Sequence, residues 1–308
     1  MTVSTRKSPA LRRLITRLFT TATGLAVLLI LAVLGVIIVD ALRGGVGKLS
    51  WAFLVESPTE GMTQGGIFPA IYGTAVLTLL MTVAVMPVGV CTALYLHEYA
   101  PAGSRLPGLI RTAVQNLAGV PSVVFGLFGL GFFVRFVGER LDRVMGGELH
   151  YGQPGLLWAA LTLAVLTLPV VIVATEEALR AVPEELRTAS LALGATRSQT
   201  LARVVLPGAL PGILTGAILA ISRGAGEVAP ILLTGAAYYL PELPRSASSQ
   251  FMHLGYHTYV LATQSPDVEA AQPILAATVL VLLGLTFALN FVAIVIRART
   301  RRSASKAH

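Results

Sequence analysis

The sequence predicts an all-α polytopic membrane protein with six transmembrane helices, on three observations. The 308 residues are 55% hydrophobic and only 12% charged, with a mean hydropathy of +0.76, which leaves too little polar surface to dissolve a chain of this size. Six apolar runs reach the roughly 20 residues that a helix needs to cross the hydrocarbon core. None shows the alternation over about 10 residues that marks a membrane β-strand, so a barrel is excluded.

The first run, 18–39, follows Arg6, Lys7, Arg12, Arg13 and Arg17. It is longer than a signal-peptide core of about 7–15 residues and reads as a retained helix. The next four are 71–96, 112–134, 156–175 and 208–233, and the sixth is 274–296. Arg297, Arg299, Arg301, Arg302 and Lys306 follow it. An even number of spans puts both basic termini on one side, which the positive-inside rule makes the cytoplasm. The net charge of +8 is therefore a signature of topology rather than of nucleic-acid binding.

On this topology 176–203, with Arg180, Arg187, Arg197 and Arg203, is cytoplasmic, and 40–69, 135–154 and 239–269 lie outside. Within 135–154 the cations Arg135, Arg140 and Arg143 are offset by Glu139, Asp142 and Glu148. Phe133, Val137, Leu141 and Val144 are spaced for an interfacial helix that continues the third span. The organisation expected is an N-terminal extension with the first helix and an outer loop (1–66), a five-helix transport unit (67–298) and a basic tail (299–308). No repeat suggests inverted halves. Cys91, the only cysteine, is expected to be a small buried residue. His253 and His257 are four residues apart without a third ligand nearby and read as ordinary loop histidines rather than a metal site.

Two stretches carry chemistry. The first is PEELRTASLALGATRSQTLARVVLPGALPG, 183–212. Pro183, then Glu184 and Glu185, suits the start of a helix. Leu186, Ala189 and Leu193 fall at helical spacing, and Gly194 can end the helix in a left-handed conformation. A second short helix follows, and Pro207 and Pro211 are expected to break the chain as it re-enters the membrane. The result is a helix–turn–helix knob, either a docking element or a solvated connector. The second stretch is ISRGAGEVAP, 221–230. Arg223 and Glu227 are the only charges between Val204 and Leu240. An ionisable group at mid-membrane costs about 3 kcal/mol or more, so such residues face a partner, a cavity or a pathway. At i, i+4 the two could form a self-neutralising pair. Both ions of such a pair must be desolvated, which favours a pathway role over a purely structural one. Gly224 and Gly226 would let backbone approach closely, and Pro230 would leave the carbonyl of Gly226 free.

The 183–212 loop resembles the EAA loop of type I ABC-importer permeases. Gly194, then Val204 in the isoleucine position and Leu206-Pro207 follow the pattern, whereas the EAA triplet is reduced to Thr188-Ala189-Ser190. IFPAIYGTAVLTLLMTVAVMPVGVCTALYLHEYAP (67–101), GVPSVVFGLFGLG (119–131) and ISRGAGEVAPILLTG (221–235) resemble the Pst-type phosphate permeases, nearest to the PstA type. Val228 stands where that type usually has threonine. The resemblance implies a MetI-like fold and a transporter subunit of a bacterial inner membrane. It implies that Glu185, Ala189, Gly194, Ala195, Leu206 and Pro207 form an ATPase-coupling loop. Arg223 and Glu227 would lie on the phosphate path. The implied partners are a PstC-like sister permease, a PstB-like ATP-binding dimer carrying ATP-Mg and a PstS-like phosphate-binding protein. The chain itself would hold no cofactor, and GGVGKLS (44–50) lacks both the first glycine and the hydroxyl residue of a phosphate-binding loop. The rivals are a permease for phosphonate or sulfate, an ATP-independent carrier or channel, and a membrane scaffold.

Overall fold

A computed structural model describes residues 9–62, 64–101, 103–265 and 267–306. Arg6 and Lys7 lie outside them. The helix α1 (Pro9–Gly45) ends in a 3₁₀ turn. α2 (Trp51–Val55) is capped by Ser50, whose hydroxyl accepts from the N–H of Phe53 at 3.1 Å. A two-stranded antiparallel ribbon, β1 (Pro58–Thr59) with β2 (Gln64–Gly65), leads into α3 (Phe68–Leu94). α3 closes on a π-helical turn at Tyr95–Tyr99.

Six helical stretches are long and apolar enough to span a bilayer, the number predicted: Thr16–Lys48, Phe68–Tyr99, Ser122–Met145, Leu156–Arg180, Arg197–Gly224 and Val268–Thr300. The chain is thus a multi-pass membrane protein. α7 (Leu156–Arg180) is the central post, packing against both α3 and the fifth stretch. Most of its apolar length is buried, whereas α1 is exposed along nearly all of its described side chains and packs mainly against the final helix. Several hydroxyls on the buried faces donate within their own helices, although that of Thr175 on α7 finds no partner among the described residues. Thr74, Thr78 and Thr82 donate in succession to the carbonyls of Ala70, Thr74 and Thr78, each at 2.7 Å.

Two spans differ from expectation. The third was expected over 112–134. Residues 105–118 instead form a separate amphipathic helix, α4 (Arg105–Ala118), packed on the end of α7. The chain breaks at Gly119–Pro121 and crosses as α5 (Ser122–Phe128), a long π-helical segment (Gly129–Gly138) and α6 (Glu139–Met145). Pro121 has no N–H to continue α4, and Arg111, Gln115 and Asn116 suit a membrane surface better than its interior. The continuation of this span beyond 134 is present as expected.

The fifth span was expected to be unbroken over 208–233. It starts earlier and is interrupted. α8 (Glu184–Ala192) and α9 (Arg197–Thr200) precede a π-helical turn (Leu201–Val205) that runs directly into α10 (Leu206–Gly224). Pro207 and Pro211 do not break the chain. Pro207 sits in the first turn of α10, where its missing N–H is harmless after the widened turn. The interruption falls at 225–228, after which α11 (Ala229–Thr234) resumes.

At the end of the bundle opposite α8, the chain between α11 and α12 (Leu254–Thr263) folds back across the ends of α3 and α7. Leu156 and Leu157 donate backbone N–H groups to Ser249 and Ala247 at 2.9 and 2.8 Å, and Gly155 donates to Thr234 at 2.9 Å. Leu254 donates to the Thr74 hydroxyl at 2.8 Å. The backbone is so close here that a Cβ on Gly73 would lie 2.1 Å from the Met252 carbonyl oxygen. Phe251, Met252 and Leu254 are fully buried. α13 (Val268–Lys306) completes the bundle.

His257 lies within α12 rather than in a loop, and His253 sits on the extended backbone just before it. His253 caps α12, its Nδ1 accepting from the Gly255 N–H at 3.1 Å, and both side chains are buried. Burial pushes His253 down to about 3 and His257 to about 4, so both are neutral at physiological pH. Cys91 is exposed rather than buried. The buried stripe of α3 runs through Leu77, Met81, Val85, Gly89 and Ala93, and Cys91 lies on the other face.

Candidate functional site

Arg223 occupies the last turn of α10, where a cation complements the helix dipole and the unpaired carbonyls. Ala225 and Gly226 close that turn by donating to Ile221 and Arg223. Glu227 then stands on non-helical backbone before α11. The two side chains meet with Arg223 Nε 3.5 Å from Glu227 Oε1. Glu227 is one-fifth exposed and Arg223 about two-fifths. The pair expected along one helix face is therefore a pair across a helix interruption. Both groups keep open sides.

The surrounding residues depart from expectation in detail. Gly224 does permit close approach, since a Cβ there would lie 2.3 Å from the sulfur of Met81 on α3. Gly226 faces open space. Pro230 frees no carbonyl of a continuous helix. It lies in the first turn of α11, and Gly226 is outside any helix. Gly126 of α5 lies against Ala229 and Pro230. α5 and α11 thus pack side by side.

The loop between α7 and α10 forms the knob. Gly194 adopts φ +87°, and the N–H groups of Gly194 and Ala195 return to the carbonyls of Leu191 and Ser190, a Schellman closure of α8. A Cβ on Gly194 would meet nothing, so the glycine is required by its dihedral angle and not by space. α9 starts with a reciprocal capping box between Thr196 and Gln199. The Ser190 and Thr200 hydroxyls, 2.9 Å apart, tie the two helices. Glu185, Ala189 and Gly194 are exposed, Ala195 is half-buried, and Leu206 and Pro207 begin α10 below the knob. Leu193, at the tip, is 89% exposed.

Sequence reasoning missed two guanidinium clamps beneath this knob. Arg111 of α4 donates Nη2 to the Leu96 carbonyl at 3.0 Å and to Glu176 Oε1 at 3.1 Å. Arg187 of α8 donates Nη2 to the Leu179 carbonyl at 2.7 Å and Nη1 to Glu98 Oε1. Each arginine thus joins the end of α3 to the end of α7 through one carbonyl and one carboxylate. The carboxylate partners lie 65 and 89 residues away from the arginines in sequence, beyond any local pattern.

The family model for the binding-protein-dependent transport system inner membrane component matches residues 86–302, and the chain belongs to that family of transporter subunits. The chain is accordingly a permease subunit and not an enzyme. It is 33% identical to the probable ABC transporter permease protein YqgI of Bacillus subtilis, over 84% of this chain and 88% of that protein. It is 38% identical to the phosphate transport system permease protein PstA 1 of Mycobacterium tuberculosis, over 59% of this chain and 55% of that protein, just over half its length. Among solved structures, a chain of the bacterial alginate ABC transporter, in complex with an alginate-bound periplasmic protein, superposes with a TM-score of 0.62 at 18% identity. The match covers 92% of this chain and 93% of that one, and it bears on the fold alone.

Proposed function

We propose that the chain is one of two related permeases lining the path of an ATP-driven importer of inorganic phosphate in a bacterial inner membrane, with both termini cytoplasmic. The observation that carries the substrate is the Arg223–Glu227 pair at the interruption of the fifth span. Likeness to a phosphate permease supports it. A guanidinium presents parallel N–H donors to an oxyanion. Inorganic phosphate near neutral pH still carries a proton, and the Glu227 carboxylate can accept its hydrogen bond. The same carboxylate repels sulfate, which has no proton to offer. Arg223 attracts the anion and Glu227 tempers that attraction so that the anion can leave. The binding protein delivers phosphate and supplies most of the selectivity. The ATPase dimer, holding ATP-Mg, receives the knob around Gly194 and converts nucleotide closure into a change of access.

Uptake of labelled phosphate by cells lacking the native chain and carrying Arg223→Ala or Glu227→Gln tests this reading. Arg223→Ala is expected to lower uptake at least tenfold, about 1.4 kcal/mol. Glu227→Gln is expected to lower phosphate uptake and to weaken the exclusion of sulfate. Full uptake by both variants would refute the assignment.

A further inference from the structure

Arg187 lies on α8, within the loop proposed to dock on the ATPase, but it does not point toward that partner. Its side chain is only 11% exposed and is turned inward. There it holds the Leu179 carbonyl at the end of α7 and the Glu98 carboxylate in the π-helical turn that ends α3. Glu184, one turn back on α8, approaches its Nε at 3.5 Å. Hydrogen bonds from Nη1 and Nη2 thus tie α8 to the ends of α3 and α7, whereas among the described residues the buried Nε makes only the ion-pair approach to Glu184. A cavity of about 250 Å³, lined by Glu98, Tyr99, Arg187, Arg197 and Leu201, opens beside it. The knob is thus not packed solid against the spans, and little else in this cavity ties α8 to the end of α3. α3 and α7 in turn pack against α10, whose last turn carries Arg223.

We propose that Arg187 is the positioning residue through which displacement of the knob reaches the ends of α3 and α7. The ATPase pushes on an exposed surface, the tip at Leu193. The push reaches α10 along the chain, because the knob runs directly into it, and Arg187 makes the ends of α3 and α7 move with it. Arg111 makes an equivalent clamp from α4 and keeps the two ends together whatever α8 does. One arginine therefore holds the spans as a unit, and the other couples that unit to the knob. The inference rests on the reading of the loop as the ATPase dock.

The test uses the whole importer, with this chain, its sister permease, the ATPase dimer and the binding protein, reconstituted in proteoliposomes. It measures ATP hydrolysed and labelled phosphate taken up, with the amount of ATPase that co-purifies. Arg187→Ala is expected to retain the ATPase and its hydrolysis while the ATP spent per phosphate rises about fivefold or more, the low end of usual coupling energies. Arg187→Lys, a single-point donor, is expected to recover part of the coupling, and it serves as the test if the alanine variant does not accumulate. Arg111→Ala is expected to lower thermal stability with less change in that ratio. An unchanged ratio in Arg187→Ala, whether the two rates stay normal or fall together, would overturn the proposal. So would an equal loss of coupling in Arg111→Ala. A wild-type chain that brings down no ATPase would instead overturn the docking reading on which the proposal stands.

Discussion

The two ends of the helix bundle are tied by different means. At the α8 end, Arg111 and Arg187 reach across to carbonyls and carboxylates over a buried apolar cluster that includes Leu96, Leu179 and Val205, next to a cavity and an exposed knob. At the far end, backbone meets backbone, with Gly73 and Gly155 pressed against the carbonyls of Met252 and Ser248 and two uncharged histidines buried alongside. Guanidinium contacts can slide between acceptors and are weakened by salt where they reach solvent. Stacked backbone with no room for a methyl group cannot slide. The contrast suits a machine driven from one end, in which the driven end has adjustable joints and the other a fixed reference.

The strongest challenge to that contrast is Gly73→Val. Its Cβ would fall 2.1 Å from the Met252 carbonyl oxygen, so the far end must open. Overpacking of this kind costs about 3 kcal/mol, and the folded fraction in mild-detergent size exclusion is expected to collapse. A monodisperse variant of normal yield would show that this end is pliable after all.

Acid tests the same end through charge. The folded values of about 3 and 4 for His253 and His257 lie below the ordinary 6.5. Below pH 6.5 the unfolded chain therefore binds more protons than the folded one. Stability is expected to be level above that pH and to fall steadily toward pH 4, seen as a declining thermal midpoint. His257→Gln should flatten part of the decline. A midpoint independent of pH over this range would mean that the histidines contribute nothing.

The smallest effect on stability is expected at the knob. Gly194→Leu places a side chain at φ +87° in open space, with a local strain of about 1–2 kcal/mol and no clash. The variant should fold and insert normally yet bring down much less ATPase. Loss of the folded chain would place Gly194 among the rigid elements and blur the contrast between the ends.

The architecture was legible where it depends on hydropathy and charge, as in the six spans, and so was the turn at Gly194, because a left-handed residue there has a local signature. The interruption at 225–228 was written in Gly224, Gly226 and Pro230, but an apolar run of that length reads as one helix until the glycines are weighed together. Pro121 gave the same warning for the third span, and the surrounding valines and phenylalanines masked it. The burial of His253 was not legible, since it follows from the seating of Leu254 on Thr74, 180 residues earlier. The arginine clamps were hidden for the same reason. For Arg223 and Glu227 the pairing was legible and its backbone setting, across an interruption, was not.

Cys91 gives the chain a built-in observation post. It is the only thiol, and it faces outward from α3, the helix whose far end is locked and whose near end is clamped by arginine. A fluorophore or spin label attached there needs no engineered cysteine and no removal of others. A lipid-soluble maleimide and a charged one would report whether that face meets acyl chains, water or another subunit.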